Sequence, residues 1–465
     1  MSTFRTFIIT FIIFAITCAS SYASNYAGTF GASPKGLALG NAMTARANDW
    51  SSVYYNIAGL GKTVDDYDRV TDDTKIYKNQ FAAGYLYNKP EFDVDIDRNT
   101  QALYNLETDT FVLGGVLDTN LFYKLPSYIS SSRIGVIVGL NADLTMVKIN
   151  DIDMRSHNYF RYGRESQSIM IMFGLGFGLF DDMIGFGAGV SQSMGGSGQI
   201  MATNLKITTQ EQTPDLQAKF DFEISKNPLI LGAYIKPGRV VPELEGLDLA
   251  FSYKQESYLY VEKFNMITTV DAGEIIMPIV AGMFDFYQPP IYTTGLAYST
   301  SKYILSVDLE LRQWSKYKVS KYTRDFFEED LNVDLPELDD VIIPRVGLQC
   351  NLTDSMDLLM GYYYEKSCIP DKAAQGVFNL LDNDKHVGSA GVVCRLPKTS
   401  NLPLIGGVYE GIMSGLNGPV DVTASYQLQY HVDRDVNKTN PTDVNPDYSY
   451  GGTCHSFMVG MTYHL

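Results

Sequence analysis

The feature that most constrains this chain is a two-residue alternation of apolar and polar side chains. Between residues 421 and 433, the even positions from Val422 to Val432 are apolar or aromatic, and the odd positions are polar. Successive side chains of a strand point to opposite faces, so this stretch predicts a β-strand with one apolar and one polar face. The pattern recurs at 247–254, 306–312 and 456–465. The chain therefore predicts an all-β fold whose apolar face meets either a core or lipid.

Segments with strand character cover most of the chain. We place about fourteen strands, at 79–89, 108–124, 132–150, 159–180, 183–204, 217–237, 247–265, 274–300, 302–318, 341–352, 355–367, 385–397, 420–434 and 451–465. Strand 274–300 contains Pro289-Pro290, which predicts a bend or a break. Most of these strands exceed the roughly 9–11 residues with which a tilted strand crosses a bilayer. Strands of soluble sandwiches average about 5–6 residues, so lipid is the favoured partner of the apolar face.

The links between strands alternate in length. The short links are at 181–182, 299–301 and 352–355, and the long polar links are at 90–107, 198–222, 319–340, 368–384 and 435–450. Short turns at one rim and long loops at the other are typical of outer-membrane barrels. Two links break the rule, 238–246 and 398–419, and for the second we expect a short helix under the barrel. The predicted fold is an antiparallel up-and-down transmembrane β-barrel of about 14 strands.

The N-terminus predicts export. Arg5, the apolar run 7–16 and Ser21-Tyr22-Ala23 fit a secretory signal peptide that is cleaved before Ser24. After residue 23 no apolar run reaches the roughly 20 residues of a transmembrane helix. We therefore expect a signal peptide at 1–23, a separate N-terminal unit at 24–75 and a barrel at 76–465. The expected location is the outer membrane of a Gram-negative-type bacterium.

Charge and cysteine content exclude several classes of function. The net charge of −17 argues against nucleic acid as a partner, which needs a basic surface. Cys350, Cys368, Cys394 and Cys454 are scattered without metal-ligand spacing, so the sequence indicates no metal and no cofactor. Cys368 and Cys454 both fall near the predicted outer rim, which permits one disulfide bridge there.

The segment before the first strand does not alternate. Residues 36–50 are rich in small side chains, which suits compact helical packing, and residues 51–60 continue it. A barrel of about fourteen strands encloses more space than its own side chains can fill. The segment at 24–75 is therefore a candidate plug.

The same residues resemble a known family. The string Gly36-Leu37, Gly40, Ala42, Ala45, Asn48-Asp49 and 54–60 (Tyr-Tyr-Asn-Ile-Ala-Gly-Leu) is similar to the hatch of FadL-type long-chain fatty acid transporters, in which Pro usually stands where this chain has Ile57. The segments 231–237, 249–253, 292–298, 308–315, 361–367 and 382–386 resemble that family's later strands and a loop. The resemblance implies a plugged fourteen-stranded barrel for passive uptake of fatty acids or aromatic hydrocarbons, with sideways exit through the wall. It implies hatch or gate roles for Asn41, Asn56, Ile57, Ala58 and Gly59.

Basic residues near the outer rim are the main polar signal. Arg155, His157, Arg161 and Arg164 flank the loop between strands three and four, and Arg312 and Lys316 lie at the top of strand nine. A guanidinium can clamp a carboxylate with two hydrogen bonds. We therefore take Arg161, Arg312, Arg155 and Lys316 as candidate ligand-binding residues, with Arg161 or Arg312 orienting an acyl carboxylate. The alternative is that they balance Asp151, Asp153, Glu310 or lipopolysaccharide phosphates.

Two other functions remain open at this stage, a general porin and a secretion-associated structural barrel. An enzyme would need a Ser-His pair at His431 or His464, which fall on predicted inward faces, but no motif supports one and we predict no catalytic residues. The expected partners are a hydrophobic small molecule, outer-membrane lipid with lipopolysaccharide, and the barrel-assembly machinery. We expect the chain to act as a monomer and to bind no nucleic acid.

Overall fold

A closed barrel of fourteen wall strands surrounds an N-terminal segment. The computed structural model describes residues 26–63, 79–96, 99–102, 107–141, 158–159, 161–163, 169–203, 215–224, 228–259, 266–270, 275–279, 286–318, 337–374, 380–396, 418–439 and 446–465. The predicted signal peptide, the predicted helix in 398–419, and Arg155, His157 and Arg164 lie outside these residues or almost wholly so. They stay predictions.

The wall strands follow one another around the barrel. They are β1 (Gln80–Ile96), β2 (Thr108–Asp118), β3 (Ile129–Asn141), β4 (Ile169–Leu179), β5 (Ile184–Thr203), β6 (Leu229–Ile235), β7 (Leu247–Lys254), β8 (Ile291–Ser299), β9 (Tyr303–Arg312), β10 (Val341–Thr353), β11 (Met356–Glu365), β12 (Lys385–Leu396), β13 (Val420–Val436) and β14 (Tyr448–His464). Each pairs antiparallel with its neighbours, and β1 pairs with both β2 and β14, which closes the barrel. The predicted fold class is confirmed.

Shorter elements lie outside this cycle. The remaining strands are Asn99–Ala102, Asn158–Tyr159, Asp215–Ile224, Ser257–Leu259, Met266–Val270, Ile275–Ile279, Phe286–Gln288 and Leu380–Leu381. The 3₁₀ turns are Ile57–Gly61, Thr119–Leu121, Pro237–Arg239, Pro242–Leu244, Trp314–Lys316 and Asp371–Ala374. The helices are Tyr26–Thr29, Pro34–Ala38 and Ser52–Tyr55. No helix within the described ranges is long and apolar enough to cross a membrane.

Two predicted strands show what the local pattern can and cannot predict. The predicted strand 274–300 is interrupted at Pro289-Pro290, as expected, and its wall portion starts at Ile291. The predicted strand 159–180 is wrong at its beginning, because the wall strand starts at Ile169. Asn158–Tyr159 instead pairs in parallel with Leu380–Leu381. That pairing joins two distant outer loops, so local alternation could not reveal it.

The two faces of β13 are divided as the alternation predicted. Ser425, Gln427, Gln429 and His431 are buried, whereas Leu428 and Tyr430 on the opposite face are exposed. Large apolar side chains on the outer face of other strands, such as Phe173 and Val459, are exposed in the same manner. In an outer-membrane barrel this apolar belt meets lipid. A bulge between His431 and Arg434 ends the strict alternation near the outer rim.

Residues 26–63, the inner segment, lie inside the barrel. Its apolar side chains include Leu37, Met43, Ile57 and Leu60, each at most 1% exposed. The 3₁₀ turn Ile57–Gly61 packs against β3, β4, β5 and β6, and the helix Pro34–Ala38 packs against β11, β12, β13 and β14. The hydrophobic core of this molecule is therefore the space between the inner segment and the wall.

Candidate functional site

Side-chain caps fix the short helices of the inner segment. The Ser33 hydroxyl accepts a hydrogen bond from the Gly36 N–H and starts the helix at Pro34, a residue suited to that first position. The Asn56 side chain accepts from the Ala58 N–H and starts the turn at Ile57 in the same way. Helices of four or five residues are unstable alone, so these caps and the surrounding wall hold them.

Two of the predicted gate residues connect separate parts of the inner segment. Asn41 has a φ of +61°, and its amide donates to the Phe30 carbonyl at 2.9 Å while it accepts from the Tyr55 hydroxyl at 2.7 Å. Asn56 donates to the carbonyls of Thr44 at 3.0 Å and of Ala233 in β6 at 3.1 Å. Both amides are therefore structural ties, and Asn56 also attaches the inner segment to the wall.

Inward-facing glycines let the inner segment lie directly on the barrel backbone. A Cβ at Gly361 would lie 2.1 Å from the Gly40 nitrogen, and one at Gly187 would lie 2.6 Å from the Ala58 nitrogen. Such close contacts leave no room for any side chain. We name as the glycine belt all wall glycines at which an added Cβ would lie within 3 Å of an atom of the inner segment: Gly114, Gly135, Gly139, Gly174, Gly176, Gly178, Gly187, Gly189, Gly232, Gly295, Gly347, Gly361, Gly391 and Gly460.

At the periplasmic end the inner segment is held by Arg133 of β3. Its Nε donates to the Leu60 carbonyl at 2.7 Å, and its Nη2 donates to the carbonyls of Gly59 at 3.1 Å and of Lys62 at 2.7 Å. The side chain is 2% exposed. The last carbonyls of a helical turn lack partners within the turn and carry partial negative charge. Arg133 supplies hydrogen-bond donors to these carbonyls and a positive charge opposite their partial negative charge.

At the extracellular half of the lumen, cations gather around Glu365 at the end of β11. Its Oε1 pairs with Arg161 and, at 3.2 Å, with Arg312, and its Oε2 lies 3.3 Å from the Lys385 Nζ. Arg161 also pairs with Asp382 at 2.8 Å. Burial lowers the pKa of the Arg161 guanidinium, but Asp382 and Glu365 outweigh it and hold that pKa well above its usual range. These groups, with the two named next, are the ion network.

Glu310 of β9 extends the ion network toward the inner segment. It pairs with Arg312 at 2.7 Å and with Arg345 at 3.1 Å. Arg312 also donates to the Gly28 carbonyl at 3.0 Å, and the Arg345 guanidinium lies 4.3 Å from the centroid of the Tyr363 ring. The network thus holds four cations and three carboxylates and touches the first turn of the inner segment. Six of the seven groups are buried, and the Glu310 side chain is 12% exposed.

Beside the ion network lies an aromatic cluster centred on His431. The ring centroids of Phe92, Tyr162 and Tyr159 lie 4.7, 5.2 and 5.9 Å from the His431 centroid. Phe30 of the inner segment contacts Tyr162 with its ring centroid at 5.9 Å. The outer half of the lumen therefore offers aromatic surface next to buried charge.

The structure brings together some of the predicted ligand-binding residues and not others. Arg161 and Arg312 meet at Glu365, although they come from different elements. Arg312 is balanced by Glu310, one of the acids that the sequence offered. Lys316 is exposed in the turn Trp314–Lys316 beyond the end of β9 and makes no described contact with the network.

The disulfide bridge that the sequence permitted between Cys368 and Cys454 is not formed. Both thiols are free and buried. Cys454 faces the lumen from β14, opposite Pro90 and Gln429, whereas the Cys368 Sγ lies 3.6 Å from the Asp382 Oδ2 beyond the end of β11. Burial raises the pKa of the Cys368 thiol, and the Asp382 carboxylate raises it further.

Several residues of the site were not found from the sequence. Arg133, Arg345, Lys385 and Glu365 each occupy an inward position of an alternating strand, where any polar residue fits. The available signal was their charge, because a charged side chain facing a plugged lumen needs a partner. The charge indicates that the residue has a partner but does not identify that partner. Arg161 and Glu365, for example, are 204 positions apart in the sequence.

Comparison with known proteins gives one curated relative and a set of similar barrels. No protein-family model matches the chain. The chain is 23% identical over 452 residues to alkane uptake protein A of Marinobacter nauticus, an alignment that covers 93% of this chain and 90% of that protein. The structure of a Pseudomonas aeruginosa FadL homologue superposes with a TM-score of 0.52 at 12% identity, covering 95% of this chain and 98% of that one.

The P. putida toluene transporter TodX has a lower TM-score of 0.49 at 11% identity, with 93% and 98% of the two chains covered. The similarity to the P. aeruginosa structure establishes the fold, that of an outer-membrane barrel. The resemblance to FadL-type transporters predicted from the sequence is confirmed.

Proposed function

We propose that this FadL-type outer-membrane barrel is a channel for the passive uptake of hydrophobic compounds, with the inner segment as its hatch. The observation that carries the proposal is the way the lumen is filled. Apolar side chains of the inner segment, among them Leu37, Val53 and Leu60, are fully buried against the wall. A compound that crosses must therefore leave water and be exchanged between apolar surfaces, which favours hydrophobic molecules over polar solutes.

The alternative of a general porin requires a water-filled path. A polar solute would have to pass the same apolar contacts without its hydration, which costs several kcal/mol for each unpaired polar group, roughly 2–7 kcal/mol. An alkane or monoaromatic compound has no such cost. The name of the Marinobacter relative, an alkane uptake protein, supports apolar cargo for this chain as well.

The proposed exit is sideways through the wall into the membrane. An apolar molecule gains about 25 cal/mol per Å² of its surface when it leaves water for hydrocarbon, so release into lipid is favoured over release into the periplasm. We propose further that the hatch spans 24–75, that the chain is a monomer among lipid and lipopolysaccharide, and that the barrel-assembly machinery inserts it. No catalytic step is part of this function.

Uptake measurements test the proposal directly. Cells with and without the gene should differ in uptake of labelled hexadecane, toluene and oleate, with at least one of the three falling on deletion. Purified protein in planar bilayers should give no steady large conductance. Equal uptake of all three compounds in both strains, or a steadily open pore, would contradict the function proposed here.

Arg161 and Arg312 are proposed to orient the polar head of an amphipathic cargo such as a fatty acid. The cationic excess of the ion network supports this role, because a buried carboxylate would match it. Replacing both by alanine should weaken oleate binding about tenfold, since a hydrogen bond to a charged group contributes about 1.5–3 kcal/mol. Hexadecane binding should change little. The control is Lys316→Ala, which removes an exposed cation; unchanged oleate affinity in the double variant would exclude the role.

A further inference from the structure

We propose that His431 is the recognition residue of a subsite for hydrophobic molecules that carry one uncharged hydroxyl group, such as long-chain aliphatic alcohols. The proposal rests on the proposed uptake function and deepens it, because it separates alcohols from plain hydrocarbons. The subsite consists of His431, Phe92, Tyr159 and Tyr162. All four side chains are at most 4% exposed.

The two nitrogens of His431 carry the argument. The side chain is 0% exposed, and neither Nδ1 nor Nε2 has a hydrogen-bond partner among the described residues. A buried polar group without a partner costs about 1–3 kcal/mol. The great majority of buried polar groups in proteins have one, so this imidazole calls for an explanation.

The neighbouring polar groups are already satisfied by one another. The Tyr162 hydroxyl donates to the Gln429 Oε1 at 2.6 Å and accepts from Lys385 at 3.1 Å. The Tyr159 hydroxyl donates to the Asn383 Oδ1 at 2.8 Å. Within the subsite, the hydrogen-bonding capacity still open is therefore that of the imidazole.

The imidazole determines which ligand chemistry fits. A neutral imidazole has one N–H donor and one acceptor nitrogen. A hydroxyl group can accept from the former or donate to the latter, whereas an alkane can do neither and a carboxylate can only accept. A charged imidazolium would lie beside Lys385, its partner across the strand pair, where like charges repel. The site therefore suits an uncharged hydroxyl.

The surroundings suit the remainder of such a ligand. The rings of Phe92, Tyr159 and Tyr162 offer apolar faces to an alkyl chain. Phe30 contacts Tyr162 and so extends this aromatic surface onto the inner segment. Tyr159 and Tyr162 belong to the outer loop between β3 and β4, so admission of a ligand beside their rings leaves every wall strand paired. An alkyl chain bound there would rest on the hatch with its hydroxyl at His431.

Substitution of His431 by phenylalanine tests the subsite, because it keeps an aromatic ring and removes both nitrogens. Binding of labelled 1-hexadecanol and labelled hexadecane is measured on purified protein in lipid nanodiscs. In the variant, hexadecanol affinity should fall about tenfold, the loss expected for one neutral hydrogen bond with its buried partner left unpaired. Hexadecane affinity should stay within about twofold, and thermal stability should be equal or higher because the unpaired nitrogens are gone.

The control is His386→Phe, which alters a histidine on the outer face that bonds to Tyr362. It should leave both affinities unchanged. Equal loss of both ligands in His431→Phe would show a merely structural histidine, and no change in either would overturn the subsite. If wild-type protein binds none of hexadecanol, hexadecane, toluene and oleate, the uptake function itself fails. Binding of hexadecanol and hexadecane without any effect of the substitution removes the subsite alone.

Discussion

Replacing Arg133 by methionine is expected to release the inner segment, the proposed hatch, from its position in the lumen. The barrel should then conduct ions. The change keeps an apolar stem of similar length but removes three hydrogen bonds to the carbonyls of Gly59, Leu60 and Lys62. The carbonyls of Leu60 and Lys62 lose this donor next to the wall, whereas the Gly59 carbonyl keeps the Lys62 N–H. We expect a loss of about 3 kcal/mol in seating free energy, which raises the unseated fraction about a hundredfold.

The measurement is conductance in planar lipid bilayers, supported by the sensitivity of cells to large antibiotics. Arg133→Lys keeps the charge but loses the planar fork that serves three carbonyls, so its effect should be intermediate. Arg239→Met removes an exposed arginine from the periplasmic turn Pro237–Arg239 and is the surface control. If Arg133→Met shows no increase in conductance and unfolds in detergent like the wild type, Arg133 does not hold the hatch.

Replacing Gly361 by valine should displace the hatch by steric overlap rather than by loss of attraction. Its Cβ would lie 2.1 Å from the Gly40 nitrogen and 2.2 Å from the Leu39 carbonyl carbon. Both are backbone atoms, so no side chain can rotate away to relieve the contact. Overpacking of a core costs about 1–3 kcal/mol where neighbours can adjust, and here the inner segment as a whole must move. We expect increased conductance and faster proteolysis of the inner segment.

The chain offers a matched control on the neighbouring strand. A Cβ at Gly388 of β12 would have no atom within 4 Å, so Gly388→Val tests the substitution itself without the overlap. It should leave conductance and stability near their wild-type values. Equal behaviour of the two variants would mean that the glycine belt is not where the hatch is held.

Alternation predicted the parts of this fold that depend on local periodicity. Gln427 and Leu428 fall on the predicted faces because a strand repeats every two residues, whatever lies around it. The hatch residues Asn41 and Asn56 were reached by resemblance, not by any physical property of their neighbourhood.

The site itself depends on pairings that periodicity does not contain. Glu365 meets Arg161 and Arg312 because the barrel curves and an outer loop folds inward, and both depend on the complete fold. Arg133 binds backbone carbonyls, which every residue possesses, so no sequence pattern marks its partners. His431 was placed on the inward face correctly, but only the packing of Phe92 and Tyr162 around it reveals that its nitrogens lack partners among the described residues.

Trp50 of the inner segment touches both sides of the seam where the barrel closes. Its backbone N–H donates to the Gln80 side chain of β1 at 3.0 Å, and its indole donates to Thr462 of β14 at 3.1 Å. The first of these strands is made early in synthesis and the other last. A ring that is already closed would have to be threaded by the inner segment, whereas an open sheet can curl around it. The inner segment therefore takes its place before the barrel closes, and Trp50 bridges β1 and β14 as these two edges meet.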